Sequence, residues 1–391
     1  MKIRDARVIV CSPGRNYVTL RIETRSGLSG IGDATVNGRE MAVAAYLRDH
    51  VVPTLIGRDA ARVEDTWQYL YRGAYWRGGP IGMAAIAAVD VALWDIKAKA
   101  AGMPLYQLFG GASREQMSCY AHASGANLPE LLDHVSALRA QGFRAIRLQC
   151  GIPGLPEPRD SPAVPAEHTW DSDAYLRFAP GMLDAVRCAV GAEVALLHDI
   201  HHRLTPIEAA RLARAVEPLN LFWLEDPTPA ENHEVIRLIR RASVTPLAIG
   251  EVFNSIHDVH ALLREQLIDY IRVTPVHAGG LTQVRRIADL AALWQIRTAF
   301  HGASDMSPVT FGAALHLGRT LPNFGIQEYA GHPSQADDVF PRAWAYSDGY
   351  LTTGEVHGHG VDIDENAAAR FPYVRSYLPV NRLADGSLWN W

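Results

Sequence analysis

Eight times between residues 117 and 330 the chain runs a short β-rich stretch to a polar residue, and seven of those stretches lead into a helical pattern. The stretches are "SCYAHA", "AIRLQ", "VALLHD", "LFWLED", "PLAIGE", "DYIRVT", "IRTAFH" and "FGIQEY". Helix starts follow closely on two of them. Thr205-Pro206-Ile207-Glu208 and Thr228-Pro229-Ala230-Glu231 each read as an N-cap threonine, a first-turn proline and a glutamate three residues after the cap. The polar residues between strand end and cap therefore fall in strand-to-helix loops. An open doubly wound sheet would want a glycine-rich first turn, and "HASGAN" supplies no GxGxxG. Eight strand-helix units without one predict a parallel (β/α)8 barrel.

The barrel does not account for the whole chain. At 391 residues two domains are the first expectation. Residues 1–115 open with "ARVIV", "YVTLRIET" and "GLSGIGDATV", short β-rich runs punctuated by Gly, Pro and Asn, then turn helical. The run "GPIGMAAIAAVDVALWDIKAKAAG" is apolar on nearly every side, as a helix buried against other elements should be. Residues 116–335 hold the barrel. Residues 336–391 lack periodicity, end in "SLWNW", and are expected to pack back on the rest.

A net charge of -5 with no basic run argues against a nucleic-acid partner. No apolar stretch reaches the ~18 residues of a membrane span, and "MKIRDARVIV" is too charged for a signal peptide. Cys11, Cys119, Cys150 and Cys188 are scattered without paired spacing, so a reduced, cytoplasmic protein is the default.

Chemistry concentrates at the strand ends. In "ALLHDIHHRL", Asp199 and His201 alternate along one face of a strand just as it runs out. Asp199, Glu225 and Glu251 close the third, fourth and fifth strands at equal intervals of 26 residues, one strand-helix unit each. Equivalent positions on successive barrel strands lie side by side on the catalytic rim. Three carboxylates so placed repel unless a cation sits among them, and an all-oxygen set suits Mg²⁺. No CxxC or HExxH pattern favours zinc. His122, Arg147, Arg272, His301 and Glu328 close the remaining strands, outlining a small polar pocket suited to an anionic, hydroxyl-rich molecule, a sugar acid.

The segments "ALLHDIHH", "LFWLEDPTPAEN", "PLAIGEVFN", "QLIDYIRVTPVHAGGLT", "FHGASDMSPVT", "NFGIQEY" and "WNW", with "GIGDATVNGRE", "YRGAYWRGGP" and "ALWDIKAKAAGMPLYQL" upstream, resemble the mannonate dehydratase group of the enolase superfamily over nearly the whole chain. The resemblance implies an N-terminal α+β capping domain over the barrel, one Mg²⁺ per subunit on Asp199, Glu225 and Glu251, and β-elimination of water from an aldonate to a 2-keto-3-deoxy acid. It implies His201 as the acid that assists the departing hydroxyl. Substrate contacts are implied for Asn37, His122, Glu251, Arg272, His301, Asp305 and Glu328, with Trp391 closing the pocket. The second strand reads Arg147-Leu148-Gln149 and the sixth carries Arg272, unlike the Lys-x-Lys and supporting Asp of mandelate racemase-like enzymes.

One feature departs from the group. Its proton-abstracting tyrosine, on the loop after the second strand and paired with an arginine, has its arginine here in Arg147, but no tyrosine stands between Gly151 and Ser172. Tyr175 lies beyond that loop; Arg159 and His168 lie within it. The expectation is thus a sugar-acid dehydratase with weak or no turnover of mannonate itself. The alternatives are a gluconate or other acid-sugar dehydratase, or a silent member that binds a sugar acid. A zinc amidohydrolase would take "HDIHH" as ligands but lacks the His-x-His of a first strand. His198 and His202 are read as packing or loop residues, and Trp67, Trp76 and Trp94 as core. The apolar N-terminal part and the resemblance predict a homo-oligomer.

Overall fold

The computed structural model describes residues 1–156 and 164–390. The first three β-rich runs form an antiparallel sheet of β1 (Ile3–Cys11), β2 (Tyr17–Thr24) and β3 (Ser29–Asp33). The apolar helix Pro80–Ala101 lies across β3. Its approach is so close that a Cβ on Gly32 would stand 1.9 Å from the Ala88 carbonyl oxygen, so only glycine fits there. The helix ends on Gly102 in the left-handed conformation. No helix among the described residues is long and apolar enough to cross a membrane.

All eight predicted strands form: β4 (Met117–Gly125), β5 (Ala145–Cys150), then, after the short β6 (Glu167–Thr169), β7 (Ala195–Asp199), β8 (Trp223–Glu225), β9 (Leu247–Ile249), β10 (Tyr270–Val273), β11 (Arg297–Phe300) and β12 (Phe324–Glu328). They pair in parallel in the order β4-β5-β7-β8-β9-β10-β11-β12, and β12 pairs back onto β4, closing the barrel. Trp223, Tyr120, Leu197, Ala299 and Ile326 pack inside the ring.

Two local expectations are corrected. The cap at Thr205 forms with its Glu208 partner, but Thr228–Glu231 starts no helix. The Thr228 carbonyl accepts a hydrogen bond from His202 Nδ1 at 3.0 Å instead of opening a helical ladder, and the next helical turn begins after Asn232. Trp67 is buried and Trp94 packs against the core, but Trp76 is 87% exposed, because its helix ends at Gly73 and a Gly-rich turn carries Trp76 into solvent.

The two parts of the chain meet through buried aspartates. Asp33 accepts from Thr310 Oγ1 (2.8 Å), Asp90 from Thr282 N (3.0 Å) and Oγ1, and Asp95 from His359 N (3.1 Å). Asp90 thereby caps the helix Leu281–Leu293, whose own N-cap, Gly280, has no side chain to do so. After the barrel, β13 (Ala345–Ser347) and β14 (Tyr350–Thr352) form a hairpin that extends the sheet from β4. Near the chain end β15 (Val380–Arg382) pairs in parallel with β6 and antiparallel with β16 (Leu388–Trp389).

Candidate active site

The carboxyl ends of the barrel strands open into a cavity of about 620 Å³. His122, Arg147, His201, Glu251, His301, Asp305 and Glu328 line it from the barrel strands and their loops, and Asn37 from the N-terminal part. Asn37 Nδ2 donates to Asp305 Oδ2 at 3.2 Å. Asp199, Glu225 and Arg272 lie fully buried beneath the cavity floor. The structure therefore gathers every sequence-expected site residue it describes; Trp391 and Arg159 lie outside the described residues.

Two guanidinium groups organise the acids. Arg147 Nη1 stands 2.7 Å from Glu225 Oε1, 3.1 Å from Asp199 Oδ2 and 3.4 Å from Glu328 Oε1. Arg272 pairs with Glu251, and its Nη2 lies 2.6 Å from Glu328 Oε2 and 3.0 Å from Glu225 Oε1. Tyr120 Oη accepts from Arg272 Nε at 3.0 Å, and Trp223 Nε1 donates to Glu225 Oε2 at 2.9 Å.

Asp226 was missed by the sequence reading. A residue next to Glu225 on an ideal strand faces the other way. Here Asp226 takes φ +40°, a conformation uncommon outside glycine, and the chain turns so that it joins the acids. Two compact groups result, Asp199 with Glu225 and Asp226, and His202 with Asp226 and Glu251. Glu251 thus gathers with Asp226 and His202 rather than directly with Asp199 and Glu225. Both carboxylate oxygens of Asp199 and of Asp226 are buried without a hydrogen bond among the described residues.

The acids respond unequally. Burial pushes Glu225 well above the carboxylate range, with Asp199 adding to the shift against the pull of the arginines. Burial also raises Asp226, to about 7. Burial would raise Glu251 and Glu328 too, but Arg272 and His301 outweigh it and hold both well below. Five carboxyl groups thus share two guanidiniums at the floor, and the acids outnumber the fixed positive charges.

The histidines divide by partner. His198 is a packing residue, as expected: its Nδ1 donates to the Leu148 carbonyl at 2.8 Å and its Nε2 accepts from Tyr175 Oη at 2.6 Å. Tyr175 is accordingly committed to the core, away from the cavity, and burial raises its phenol far above the ordinary value. His202 makes the loop hydrogen bond expected of it, from Nδ1 to the Thr228 carbonyl, and in addition its Nε2 faces Asp226 Oδ2 at 4.0 Å on the cavity wall. His201 sits beside it in the left-handed conformation, with Nε2 3.7 Å from Glu251 Oε1. Its pKa is lowered, chiefly by burial. His168 pairs with Asn381 across β6 and β15. His277, in the loop after β10, also lines the cavity and was not singled out from the sequence; no strand-end spacing marks it.

Residues 130–367 match the family described as Enolase C-terminal domain-like, and residues 9–110 match the Mandelate racemase / muconate lactonizing enzyme, N-terminal domain. A D-galactonate dehydratase family member, ManD, of Chromohalobacter salexigens is 60% identical over the full length of both chains. A D-mannonate dehydratase of Rhizorhabdus wittichii is 59% identical, again over all of both. The alignment with the former runs over 404 positions where this chain has 391 residues, so that relative carries residues this chain lacks. Among solved structures, an enolase of Pantoea ananatis with bound D-gluconate and Mg superposes with a TM-score of 0.93 at 37% identity, covering 99% of each chain.

Proposed function

The chain belongs to the enolase superfamily, and from that membership we propose that it is a Mg²⁺-dependent dehydratase that eliminates water from a sugar acid, an aldonate such as mannonate or gluconate, to give a 2-keto-3-deoxy acid. One observation carries the reading. Buried carboxylate oxygens of Asp199 and Asp226 converge at the strand ends without hydrogen bonds, in a cluster of acids. Buried polar groups left so are costly unless a ligand satisfies them, and an all-oxygen donor set fits a hard divalent cation. Asp199, Glu225 and Glu251 would hold it, with Asp226 beside them. A cation there supplies an electrophile that takes up negative charge on the substrate carboxylate as the neighbouring C–H bond weakens.

The remaining steps fall to the chain's own groups. Arg147, at the cavity wall, adds a fixed positive charge near the carboxylate end. His201 delivers the proton that lets the C3 hydroxyl leave as water; its burial-lowered pKa makes the protonated ring a readier donor than a solvated imidazole. Asn37 and Asp305, hydrogen-bonded to one another on the cavity lining, would meet the distal hydroxyls. The named relatives support the reaction class; the chemistry of the pocket supports a small anionic substrate.

The test is a coupled assay for 2-keto-3-deoxy acid formation over a panel of aldonates, with Mg²⁺ and with EDTA. Product that appears with Mg²⁺ and disappears with EDTA is expected. Binding of Mg²⁺ and acid sugars without product from any of them would replace this reading with that of a silent sugar-acid-binding protein.

A further inference from the structure

We propose that His277 takes the proton from C2 of the substrate, and that the preferred substrate has the C2 configuration opposite to mannonate's. This rests on the dehydratase reading above.

Beside Arg147, neither a tyrosine nor His122 is placed to act as the base. No tyrosine lies between Gly151 and Ser172, and the Tyr175 hydroxyl is bonded to His198. His122 is next to Arg147, but both of its ring nitrogens are engaged. Arg147 Nη2 donates to Nδ1 at 3.2 Å, and Nε2 faces Glu328 Oε1 at 2.7 Å.

The far wall is different. β5, which carries Arg147, and β10, which leads to His277, stand four strands apart in a closed ring of eight, so they face each other across the cavity. His277 Nδ1 lies 3.1 Å from the Glu251 carbonyl oxygen. A carbonyl can only accept, so the ring proton sits on Nδ1 and the lone pair on Nε2. Nε2 makes no hydrogen bond among the described residues, the ring stacks on His301 with centroids 6.3 Å apart, and the residue lines the cavity. Asn254 Nδ2 donates to the His277 carbonyl at 3.1 Å, fixing the loop. His301, the neighbouring ring, instead turns its Nε2 to Glu251 Oε2 at 3.6 Å and Glu328 Oε2 at 3.9 Å.

The step balances without a further reactant. The C2–H bond breaks, its proton goes to Nε2 of His277, and its electron pair moves into the substrate carboxylate. That pair returns to form the C2–C3 double bond as the C3–O bond breaks and His201 protonates the leaving oxygen to water. The enol then tautomerises, His277 loses its proton to solvent and His201 regains one. Bases on opposite walls reach opposite faces of C2. A base facing Arg147 rather than beside it therefore selects the other C2 epimer, and gluconate differs from mannonate at that carbon.

The experiment compares D-gluconate and D-mannonate in the Mg²⁺-loaded protein, measuring product, calorimetric binding and the primary isotope effect of C2-deuterated acid. Wild type is expected to favour gluconate by at least ~10-fold in kcat/KM. His277→Gln should lower gluconate turnover ~10²-fold or more, the scale of a lost general base, while its Kd for gluconate changes less than about threefold. His277→Gln within a few-fold of wild type, or a wild type that prefers mannonate, overturns the assignment and leaves the dehydratase reading standing. Absence of product from every acid sugar in wild type overturns the dehydratase reading, and the proposal with it.

Discussion

Buried carboxylates occur in two places in this molecule, and they are treated in opposite ways. At the seam between the N-terminal part and the rest of the chain, Asp33, Asp90 and Asp95 are each met by N–H or O–H donors from across the boundary. At the barrel mouth, Asp199 and Asp226 are equally buried, and their oxygens meet no hydrogen-bond donor among the described residues. Arg147 and Arg272 approach as charges, at 3.1 Å and 3.6 Å. The same residue type at the same depth is glue in one place and an open valence in the other. Burial alone therefore does not separate the two sets of acids; the state of their hydrogen bonds does.

The contrast is broken most severely by deleting a seam aspartate. Asp90→Ala leaves the Thr282 amide and hydroxyl without their acceptor and opens a void beside Gly280, at an expected cost of about 3 kcal/mol in urea unfolding. Asp226→Asn in the metal-free protein should do the reverse, leaving the midpoint unchanged or higher, because it removes a charge with no hydrogen bond to lose. If the two substitutions cost the same, the distinction between seam and mouth is void.

A finer test uses pH. Burial pushes Asp90 up to about 7, against the donors from Thr282. A carboxyl whose folded pKa lies above its unfolded value contributes stability that is full below the unfolded value, near 4, and is lost as pH rises toward 7. Wild type should therefore lose about 2 kcal/mol relative to Asp90→Asn between pH 5.5 and 8, at 1.36 kcal/mol per unit. A difference between the two proteins that does not vary with pH would mean that Asp90 is ionised throughout. The smallest effect belongs to an ordinary helix cap: Thr205→Ala, which removes one half of the box with Glu208, should cost about 1 kcal/mol with little change in turnover.

How far the sequence reaches into this molecule depends on whether a position obeys a period. The barrel strands were legible because each is a short apolar run with a turn after it, and Asp199, Glu225 and Glu251 because barrel geometry repeats at one unit per strand. Asp226 was not legible, since strand alternation points it outward and only a positive φ brings it in. His277 sits in a loop where no period applies, and its role rests on a backbone carbonyl that sequence does not reveal. The false cap at Thr228 has the same origin: a pattern correct for a helix start, overruled by a histidine 26 residues away that claimed its carbonyl.

The pairing of β6 with β15 ties the loop that follows the second barrel strand to the last turn of the chain. Trp389 Nε1, two residues from the end, donates to the Arg203 carbonyl at 2.7 Å, two residues past His201. The loop, β15 and β16 are thus joined to the turn that carries His201. A change in the length of that loop moves β6, and with it the strand pair that carries Trp389 and the turn after His201.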